Sequence, residues 1–589
     1  MQQQVSPRAD VPPPSGGGVS LNARGVSKRY GSVLAVDNVD LSIKQGEILA
    51  LFGPDGAGKT SLLQMLSGLI KPTSGVVTIY GESIHTGRRR CGYVAQHFTF
   101  SQDLSVRENM QYAADLHSVP RDRFPSEMER LLRMVGLEKF PNRLAGKLSG
   151  GMKEKLAIAC ALISNPAVLI LDEPTTGVDP LGRREIQHML VALSRQGTSV
   201  LLATSDLEEV EISDRIVHME HGKLDSSASL EAWHDREQEL LHKKDARTKI
   251  STTVKKLDLS TKKTGSFSLP DLQQPQISIE AKDVLKRFGA FTAVNGISFA
   301  VARGEIFGLL GANGAGKSTA IQMLCGLQRP TEGAVRLLGK DPRGAAAKLV
   351  HGRMGYMNQR FSLYDGLTVE ENIDFYACSY GIPASERKTR VNDGIARLDL
   401  GEIRREMVGN LPRGWKQRVA FAAATLHEPE ILFLDEPTAG TDSHTRHLLW
   451  SLINGAAARG TAVLVTTHYL DEAEFCDRLA LMVAGKFVRQ GPPAQVRESC
   501  IQRAVRIDTP SPQEAGQILT QHYPSWRLGL HPDVVRVLSD DPRADLTRVQ
   551  QILQSSQIVV ERADIELCSL EEAFIAAIAE SGSGGGGAG

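Results

Sequence analysis

Short blocks of consecutive apolar residues recur along most of the 589-residue chain, and longer segments with helix-like spacing separate them. EILALF at 47–52 and EIFGLL at 305–310 each lead into a glycine-rich loop, whereas VLILD at 168–172 and ILFLD at 431–435 each lead into an acidic pair. Uninterrupted apolar runs of this length are typical of parallel strands that are buried on both faces of a sheet. The pattern therefore predicts an α/β fold whose ligands lie at the carboxyl ends of the strands.

The same apolar pattern occurs twice in the chain. The stretch that starts at Val19 matches the stretch that starts at Ile277, 258 positions later, and after a small insertion the later landmarks are 263 positions apart. A long internal repeat at a fixed spacing indicates two copies of one domain. We expect a first copy over 19–225 and a second copy over 277–497.

The segments outside the two copies differ from them in composition. They predict a disordered N-terminal arm over 1–18 and a charged flexible linker over 226–276. They also predict a small α/β C-terminal domain over 502–580 and a Gly-rich tail over 581–589. Within the C-terminal domain, strands are predicted for AVRIDT, VVRVL and IVVERADIEL, and helices for SPQEAGQILTQH, RADLTRVQQILQ and SLEEAFIAAIAE.

Bulk composition narrows the possible partners. Lys and Arg together number 68, as do Asp and Glu, so the net charge gives no reason to expect a nucleic-acid partner. The seven cysteines are scattered without metal-ligand spacing, which fits a reducing compartment. No apolar run approaches the roughly 18 to 20 residues that cross a bilayer, and the first residues lack the apolar stretch of a signal peptide. We therefore expect that the chain does not span a membrane by itself.

Two glycine-rich loops carry the first chemical signal. GPDGAGKT at 53–60 and GANGAGKS at 311–318 match G-x-x-x-x-G-K-[ST], and each lies between an apolar strand and an apolar helix, as a phosphate-binding loop requires. Backbone N–H groups of such a loop and the helix dipole favour a bound phosphate. The nucleotide-binding residues predicted here are Gly53, Pro54, Asp55, Gly56, Ala57, Gly58, Lys59, Thr60, Gly311, Ala312, Asn313, Gly314, Ala315, Gly316, Lys317 and Ser318.

Individual side chains in the loops have expected roles. Lys59 and Lys317 should reach the β- and γ-phosphates of ATP, and Thr60 and Ser318 should ligate Mg²⁺. Asp55 places a negative charge near the phosphates where the second loop has an asparagine, so we expect slightly weaker binding at the first loop.

The acidic pairs supply the second chemical signal. Asp172 and Asp435 follow buried strands at the edge where Mg²⁺ would be held, so we expect them in the shell of that cation. Glu173 and Glu436 are then free to orient or deprotonate the attacking water. An acidic pair after a strand is common, and its distance from a phosphate loop is what makes this one specific.

An aromatic residue lies ahead of the first core strand in each copy. Tyr30 and Phe288 could stack on an adenine ring, a contact worth roughly 1 to 3 kcal/mol by analogy with nucleic-acid bases. Taken singly, such a residue is more often part of the packing, but its recurrence in both copies puts the adenine-binding interpretation on an equal footing with packing.

The order of these motifs resembles that of the ATP-binding-cassette (ABC) ATPases over residues 19 to about 497. LSGGM at 148–152, ahead of the LDEPT strand, distinguishes that family from other phosphate-loop proteins. The resemblance implies two nucleotide-binding domains, each with an antiparallel β subdomain and a helical subdomain, that close head to tail within the chain. Each ATP would then lie between the phosphate loop of one copy and the signature of the other.

The resemblance also implies roles for residues outside the loops. Gln96 and Gln359 would sense Mg²⁺ and a membrane partner, Asp179 and Asp442 would link the two sites, and His468 would contact the γ-phosphate. Ser205 stands at the position of His468 in the first copy, where it cannot supply an imidazolium charge. The full expected metal set is Thr60, Gln96, Asp172, Ser318, Gln359 and Asp435, and the expected catalytic set is Glu436, His468, Gln359 and Glu173.

The two signatures are unequal. In the first copy, Ser149, Gly150 and Gly151 should face a γ-phosphate at a helix N-terminus. In the second copy Pro412 removes a hydroxyl and an N–H, and Arg413 adds a side chain where the first copy has glycine. Head-to-tail pairing places this altered signature against the first phosphate loop. That loop belongs to the copy that also lacks the histidine.

We therefore expect one composite site that hydrolyses ATP and one that holds ATP and turns over slowly. Alternatively, the Arg413 guanidinium contacts the γ-phosphate and restores the second of these sites.

The SLEEAF ending and the LPRGWKQR signature resemble bacterial drug-exporter ATP-binding subunits with twin cassettes. This implies separate membrane permease subunits, peripheral association with the cytoplasmic face of the inner or plasma membrane, and export of hydrophobic or amphiphilic compounds. Two alternatives remain open at this point. One is the tandem-cassette sugar-import ATPase, in which the second loop is generally more degenerate. The other is a translation-factor ATPase that acts on ribosomes.

Overall fold

The computed structural model describes residues 18–225 and 276–583, except for Ser32, His97, Glu211, Ala346, Arg360 and Pro532. Almost all of the predicted arm and linker lie outside the described residues, as do the last six residues of the predicted tail. No helix in the described ranges is both long enough and apolar enough to span a membrane.

The first copy contains ten strands and seven α-helices among its described residues. Its strands are β1 Val19–Tyr30, β2 Val33–Lys44, β3 Ile48–Phe52, β4 Ser74–Ile79, β5 Glu82–Ser83, β6 Cys91–Val94, β7 Val168–Asp172, β8 Ser199–Thr204, β9 Arg215–Glu220 and β10 Lys223–Asp225. Its helices are α1 Lys59–Leu66, α2 Ile84–Gly87, α3 Val106–Leu116, α4 Phe124–Met134, α5 Gly150–Leu162, α6 Pro180–Arg195 and α7 Leu207–Val210.

The described part of the second copy repeats this order with nine strands and seven α-helices. Its strands are β11 Ile277–Phe288, β12 Phe291–Ala302, β13 Ile306–Gly311, β14 Glu332–Leu337, β15 Met354–Met357, β16 Ile431–Asp435, β17 Ala462–Thr467, β18 Arg478–Val483 and β19 Lys486–Gly491. Its helices are α8 Lys317–Leu324, α9 Ala347–His351, α10 Val369–Ser379, α11 Ala384–Arg397, α12 Arg413–Thr425, α13 Ser443–Ala458 and α14 Leu470–Ala473.

Each copy is built around a six-stranded sheet and a smaller antiparallel sheet. The main sheets run β10-β9-β3-β8-β7-β6 and β15-β16-β17-β13-β18-β19, with the central strands parallel. The apolar residues of β3, β7 and β16 are buried, as the continuous apolar runs predicted. Parallel strands end at one edge of a sheet, so this topology brings the phosphate loops and the acidic pairs together.

A helical layer places the two signatures. Helices α3 and α10 begin with capping boxes formed by Ser105 with Glu108 and by Thr368 with Glu371. They pack in the layer with α5 and α12, the helices that begin directly after Ser149 and Pro412. The signatures are therefore the N-terminal ends of long, well-packed helices.

The C-terminal domain contains a four-stranded sheet in the order β21-β22-β20-β23. Its elements are α15 Pro493–Glu498, which leads into it, β20 Arg503–Asp508, α16 Pro512–Thr520, β21 Leu528–Leu530, β22 Val534–Ser539, α17 Pro542–Ser555, β23 Arg562–Glu566 and α18 Leu570–Ser583. Three details differ from the sequence prediction. Strand β21 was not predicted, β23 begins only at Arg562, and α18 continues three residues into the predicted tail.

The C-terminal domain contacts both copies. Leu570 and Phe574 of α18 share a buried apolar cluster with Leu310 and Leu479 of the second copy. On the other side, Arg184 of α6 in the first copy donates to Glu571 Oε1 at 2.7 Å and to the Trp526 carbonyl at 3.3 Å. One small domain thus bridges the two copies.

Candidate functional site

Both phosphate loops have the backbone that their glycines permit. Gly58 and Gly316, which precede α1 and α8, have φ of 104° and 107°. A Cβ atom at Gly58 would lie 2.2 Å from the Ala35 carbonyl oxygen, and one at Gly316 would lie 2.3 Å from that of Ala293. Only glycine fits these positions, so each loop packs directly against the neighbouring strand where its helix begins.

The loop lysines are buried and folded back on their own loops. Lys59 Nζ donates to the Gly53 carbonyl at 2.7 Å, and Lys317 Nζ donates to the Gly311 carbonyl at 2.6 Å. The same ammonium groups lie 3.5 Å from Glu173 and 3.7 Å from Glu436. A phosphate in the loop would compete for these lysines.

The two glutamates adopt the same strained backbone. Glu173 and Glu436 both have φ of 51°, in the left-handed region that non-glycine residues rarely adopt. Gln96 Nε2 donates to Glu173 Oε2 at 2.7 Å, and Gln359 Nε2 donates to Glu436 Oε2 at 2.9 Å. The predicted glutamine and glutamate of each copy therefore meet at the ends of two neighbouring parallel strands.

The aspartates of the acidic pairs fit a hard cation. Burial raises the pKa of Asp172 to about 6, against the effect of a hydrogen bond with the Thr60 side chain. Burial also raises the pKa of Asp435, which is hydrogen-bonded to Ser318. Asp172 Oδ1 is buried without a hydrogen-bond partner, so it is free to coordinate Mg²⁺. Each aspartate lies beside the loop hydroxyl that would complete the site.

The surroundings of the two glutamates differ. His468 Nδ1 lies 3.5 Å from Glu436 Oε2. Burial opposes ionisation of Glu436, but His468, Lys317 and Gln359 outweigh it and lower the pKa of this carboxyl to about 2. At the position of His468 the first copy has Ser205, which is partly buried.

The second phosphate loop faces the intact signature of the first copy. Asn313 Nδ2 donates to the Gly177 carbonyl of the first copy at 2.7 Å. A Cβ atom at Gly150 would lie 3.5 Å from Asn313 Nδ2, so signature and loop are in direct proximity. Ser149 Oγ accepts the Met152 N–H of its own helix at 3.3 Å. We call this arrangement the intact site.

The first phosphate loop faces the altered signature of the second copy. A Cβ atom at Gly414 would lie 3.1 Å from Asp55 Oδ2, and the Asp55 N–H donates to Asp442 Oδ2 at 3.2 Å. Pro412 is the N-cap of α12 and provides no side-chain hydrogen bond. Arg413 packs against the Gly440 turn, and its Nε is buried without a hydrogen-bond partner. We call this arrangement the altered site.

Tyr30 and Phe288 end the long first strand of each copy and lie ahead of the core strands β3 and β13, as the sequence indicated. Each is 47% exposed, and the ammonium groups of Lys28 and Lys286 lie 5.2 Å and 5.1 Å from the respective ring centroids. Both rings are open to a ligand, and adenine stacking remains a prediction for them.

A buried charged cluster between the copies was not anticipated from the sequence. The Tyr469 ring lies between two guanidinium groups, with Arg183 Cζ at 5.4 Å and Arg446 Cζ at 4.4 Å from its centroid. Arg183 also lies 3.5 Å from Asp206. Asp206 and Tyr469 directly follow Ser205 and His468, so the cluster joins the two loops that differ at the histidine position. Its one sequence signal is the pair of arginines 263 positions apart.

A second unanticipated difference lies behind the aspartates. Thr466 Oγ1 donates to Asp435 Oδ1 at 2.6 Å, and the Glu436 N–H donates to the same hydroxyl at 2.9 Å. The equivalent position in the first copy is Ala203, which has no hydroxyl. The acidic pair is therefore held more firmly at the intact site.

The helix of the intact signature contains an unfavourably placed carboxylate. Burial raises the pKa of Glu154 to about 8, with a further contribution from the charge of Glu209. Glu154 Oε1 is buried without a hydrogen-bond partner. The second copy has Gln417 at this position, so the chain contains its own neutral counterpart.

We expect Glu154→Gln to stabilise the protein at alkaline pH. Because the folded-state pKa of Glu154 is raised, the wild-type chain loses stability as pH rises from the unfolded value of 4.5 to about 8. The variant should therefore match the wild type near pH 5 and gain on the order of 1 to 3 kcal/mol above pH 8. Thermal unfolding midpoints at pH 5.5 and 8.5 measure the difference. Gln417→Glu is the matched control and should show the opposite trend, and a gain that does not change with pH would contradict this account.

Comparison with known proteins agrees with these features. The sequence profile described as "ABC transporter" matches residues 36–176 and 294–439. The chain is 37% identical over 548 residues to the probable multidrug ABC transporter ATP-binding protein YbhF of Escherichia coli K12, and the match covers 81% of this chain and 94% of that protein. It is also 34% identical to the Nod factor export ATP-binding protein I of a Rhizobium species, across 51% of this chain and 96% of that protein.

Among solved structures, the fold is similar to the archaeal ribosome recycling factor aABCE1 in its complex with the stalk protein aP1. The TM-score is 0.54 at 22% identity, and the match covers 80% of this chain and 91% of that chain. At this identity the similarity concerns the fold alone: two such domains in one polypeptide.

Proposed function

The chain belongs to the ABC transporter family of ATP-hydrolysing proteins, and we propose from this premise that it powers export of hydrophobic or amphiphilic compounds through separate membrane subunits. The observation that carries the proposal is that each phosphate loop lies against the signature of the other copy and is hydrogen-bonded to that copy. One polypeptide then forms a complete pair of ATP sites, able to drive two membrane subunits.

At the intact site, Glu436 is the residue that accepts a proton from the attacking water. Its low pKa keeps it ionised, Gln359 fixes its second oxygen, and His468 beside it is placed to stabilise charge on the γ-phosphate. Mg²⁺, when bound by Ser318, Asp435 and Gln359, supplies neutralisation of phosphate charge. Phosphoryl transfer depends mainly on positioning and electrostatics, so these contacts account for most of the catalysis.

At the altered site, ATP is bound but hydrolysed slowly. Glu173 and Gln96 retain their contact, and Lys59 retains its position. The site lacks the histidine, the Ser-Gly-Gly signature and the Thr466 hydroxyl. Each missing donor to developing charge typically lowers a rate by about 10² to 10³-fold. Closure and reopening at the intact site therefore set the pace of the transport cycle.

Exposed aromatic side chains on α3 and α10, the helices that follow the Gln96 and Gln359 segments, support docking to membrane subunits. Tyr112 is 55% exposed on α3, and Phe375 is 43% exposed at the equivalent position of α10. Aromatic residues at equivalent exposed positions of both copies fit a pair of similar partners. ATP-driven closure would move these two surfaces relative to each other.

Affinity purification from membranes tests the proposal. The tagged chain should bring down integral membrane proteins, and the double variant Tyr112→Ser/Phe375→Ser should lose them while the ATPase rate of the isolated chain stays the same. The matched control is Ile501→Ser/Val559→Ser, which removes two exposed apolar residues of the C-terminal region, 78% and 62% exposed. Fractionation with ribosomes in place of membranes would contradict export and favour the translation-factor alternative.

A further inference from the structure

The two phosphate loops contact the opposite copy through chemically different groups. Asn313 donates its amide N–H to the Gly177 carbonyl at the intact site. Asp55 occupies the equivalent position in the first loop. An ionised carboxylate has no N–H, so Asp55 cannot donate to the corresponding Gly440 carbonyl. The Asp55 carboxylate therefore requires hydrogen-bond donors from the other copy, whereas Asn313 requires an acceptor.

Asp55 finds its donor at the altered signature. The Gly414 N–H, in the first turn of α12, donates to the Asp55 carboxylate. Gly414 is buried, and a Cβ atom there would lie 3.1 Å from Asp55 Oδ2. The backbone of Asp55 is held as well, since its N–H donates to Asp442 Oδ2 at 3.2 Å. Loop and signature are thus tied together without any nucleotide.

The contact is favourable for α12, the helix that begins at the altered signature. The first N–H groups of a helix have no partners within it. Ser149 provides a cap for α5, whereas Pro412 provides none for the 13-residue α12. A carboxylate at a helix N-terminus satisfies these N–H groups and interacts favourably with the helix dipole. Asp55 therefore caps α12 from the other copy.

We propose that the Asp55 carboxyl group takes the place of the γ-phosphate on the altered signature and holds the altered site closed in every nucleotide state. The inference rests on the proposed function, in which an ABC signature meets the γ-phosphate across the interface. The altered site then acts as the hinge of the pair, and the intact site is the side that opens and closes with ATP.

The contact depends on the hydrogen bond more than on the charge. Burial and the nearby carboxylates of Glu173 and Asp442 disfavour the ionised form of Asp55, whereas Lys59 favours it. These effects together raise the pKa of Asp55 to about 7. An asparagine keeps an oxygen that accepts the Gly414 N–H and removes the repulsion. Asp55→Asn should therefore preserve closure, whereas Asp55→Ala should lose it.

Spin-label distances across both sites provide the test on the full-length chain. Leu69 and Met407 span the altered site, and Leu327 and Leu144 are their equivalents at the intact site. All four are exposed, at 55%, 46%, 64% and 38% respectively. Cys378, the exposed cysteine in the described ranges, is first replaced by serine, and the other six cysteines there are buried.

Without nucleotide, we expect a narrow, short distance for the 69/407 pair and a broad, longer one for the 327/144 pair. Asp55→Ala should raise the open-to-closed ratio at the altered site up to about 10-fold, as loss of one hydrogen bond implies, and Asp55→Asn should not. Closure of the 327/144 pair on adding ATP shows that each variant is folded.

Unchanged 69/407 distances in Asp55→Ala would overturn the inference, as would equal opening in Asp55→Asn. Either result leaves the export proposal intact, because membrane purification decides that proposal separately.

Discussion

Replacing Glu436 with glutamine should lower the ATPase rate of the chain by about 10² to 10⁴-fold, the usual contribution of a general base. The amide has nearly the same shape as the carboxylate but cannot accept a proton from water. The effect should be large because Glu436 lies within 3.5 Å of His468 and is held by Gln359 and Lys317. Among the glutamates that the structure describes, no other has this set of neighbours.

Glu173→Gln is the matched comparison, because Glu173 has the same backbone conformation and the same glutamine partner. We expect it to lower the steady-state rate less than about twofold, since the altered site contributes little turnover. Steady-state ATPase assays at saturating ATP measure both variants, and equilibrium binding of labelled ATP shows whether both still bind nucleotide. Equal losses in the two variants would contradict unequal sites.

Exchanging the signatures should have the second largest effect. The double variant Ser149→Pro/Gly150→Arg gives the first copy the Pro-Arg pair of the second, and we expect about a 10²-fold loss of ATPase activity. Proline removes a hydroxyl and an N–H from the signature. Arginine would crowd the loop, because a Cβ atom at residue 150 already lies 3.4 Å from the Gly177 carbonyl and 3.5 Å from Asn313 Nδ2.

The reverse exchange, Pro412→Ser/Arg413→Gly, is the control. It restores a signature at the altered site but leaves Ser205 in place, so the rate should change little. Adding Ser205→His should raise turnover at that site, which becomes visible when the intact site is silenced by Glu436→Gln. If the Pro-Arg pair is harmless in the first copy, or if the reverse exchange alone raises the rate strongly, the signatures do not determine the asymmetry.

The parts of the fold set by local pattern were predictable from the sequence. The buried strands before the phosphate loops and acidic pairs lie where the apolar runs predicted, and the two-copy ABC fold is confirmed by the family comparison. Strand β21 was missed because it has three residues, Leu528–Leu530, too few for a detectable alternation. Docking of the C-terminal domain on α6 was missed because the Arg184 contact depends on tertiary arrangement.

The residues of the candidate site could be predicted from the sequence, but the contacts between them could not. Motif spacing indicated Lys59, Glu173 and their equivalents, whose catalytic roles stay predictions. Asp55 was interpreted as a charge that weakens phosphate binding, and the contact it makes with Gly414 could not be anticipated because the partner is 359 positions away in the sequence. Aligning the two copies pairs Ala203 with Thr466, but the sequence does not show what this difference does. Its effect follows from the hydrogen bond between Thr466 and Asp435.

The C-terminal domain bridges the two copies, and its contacts distinguish the first copy from the second. Because α18 packs into the second copy while Glu571 binds Arg184 of the first, the domain has one binding face for each copy, and these faces are not alike. Reversing the order of the copies in a rearranged gene would give the domain the wrong neighbour on both sides. The duplication that produced this chain is therefore no longer symmetric, and its halves have become distinct parts with fixed positions.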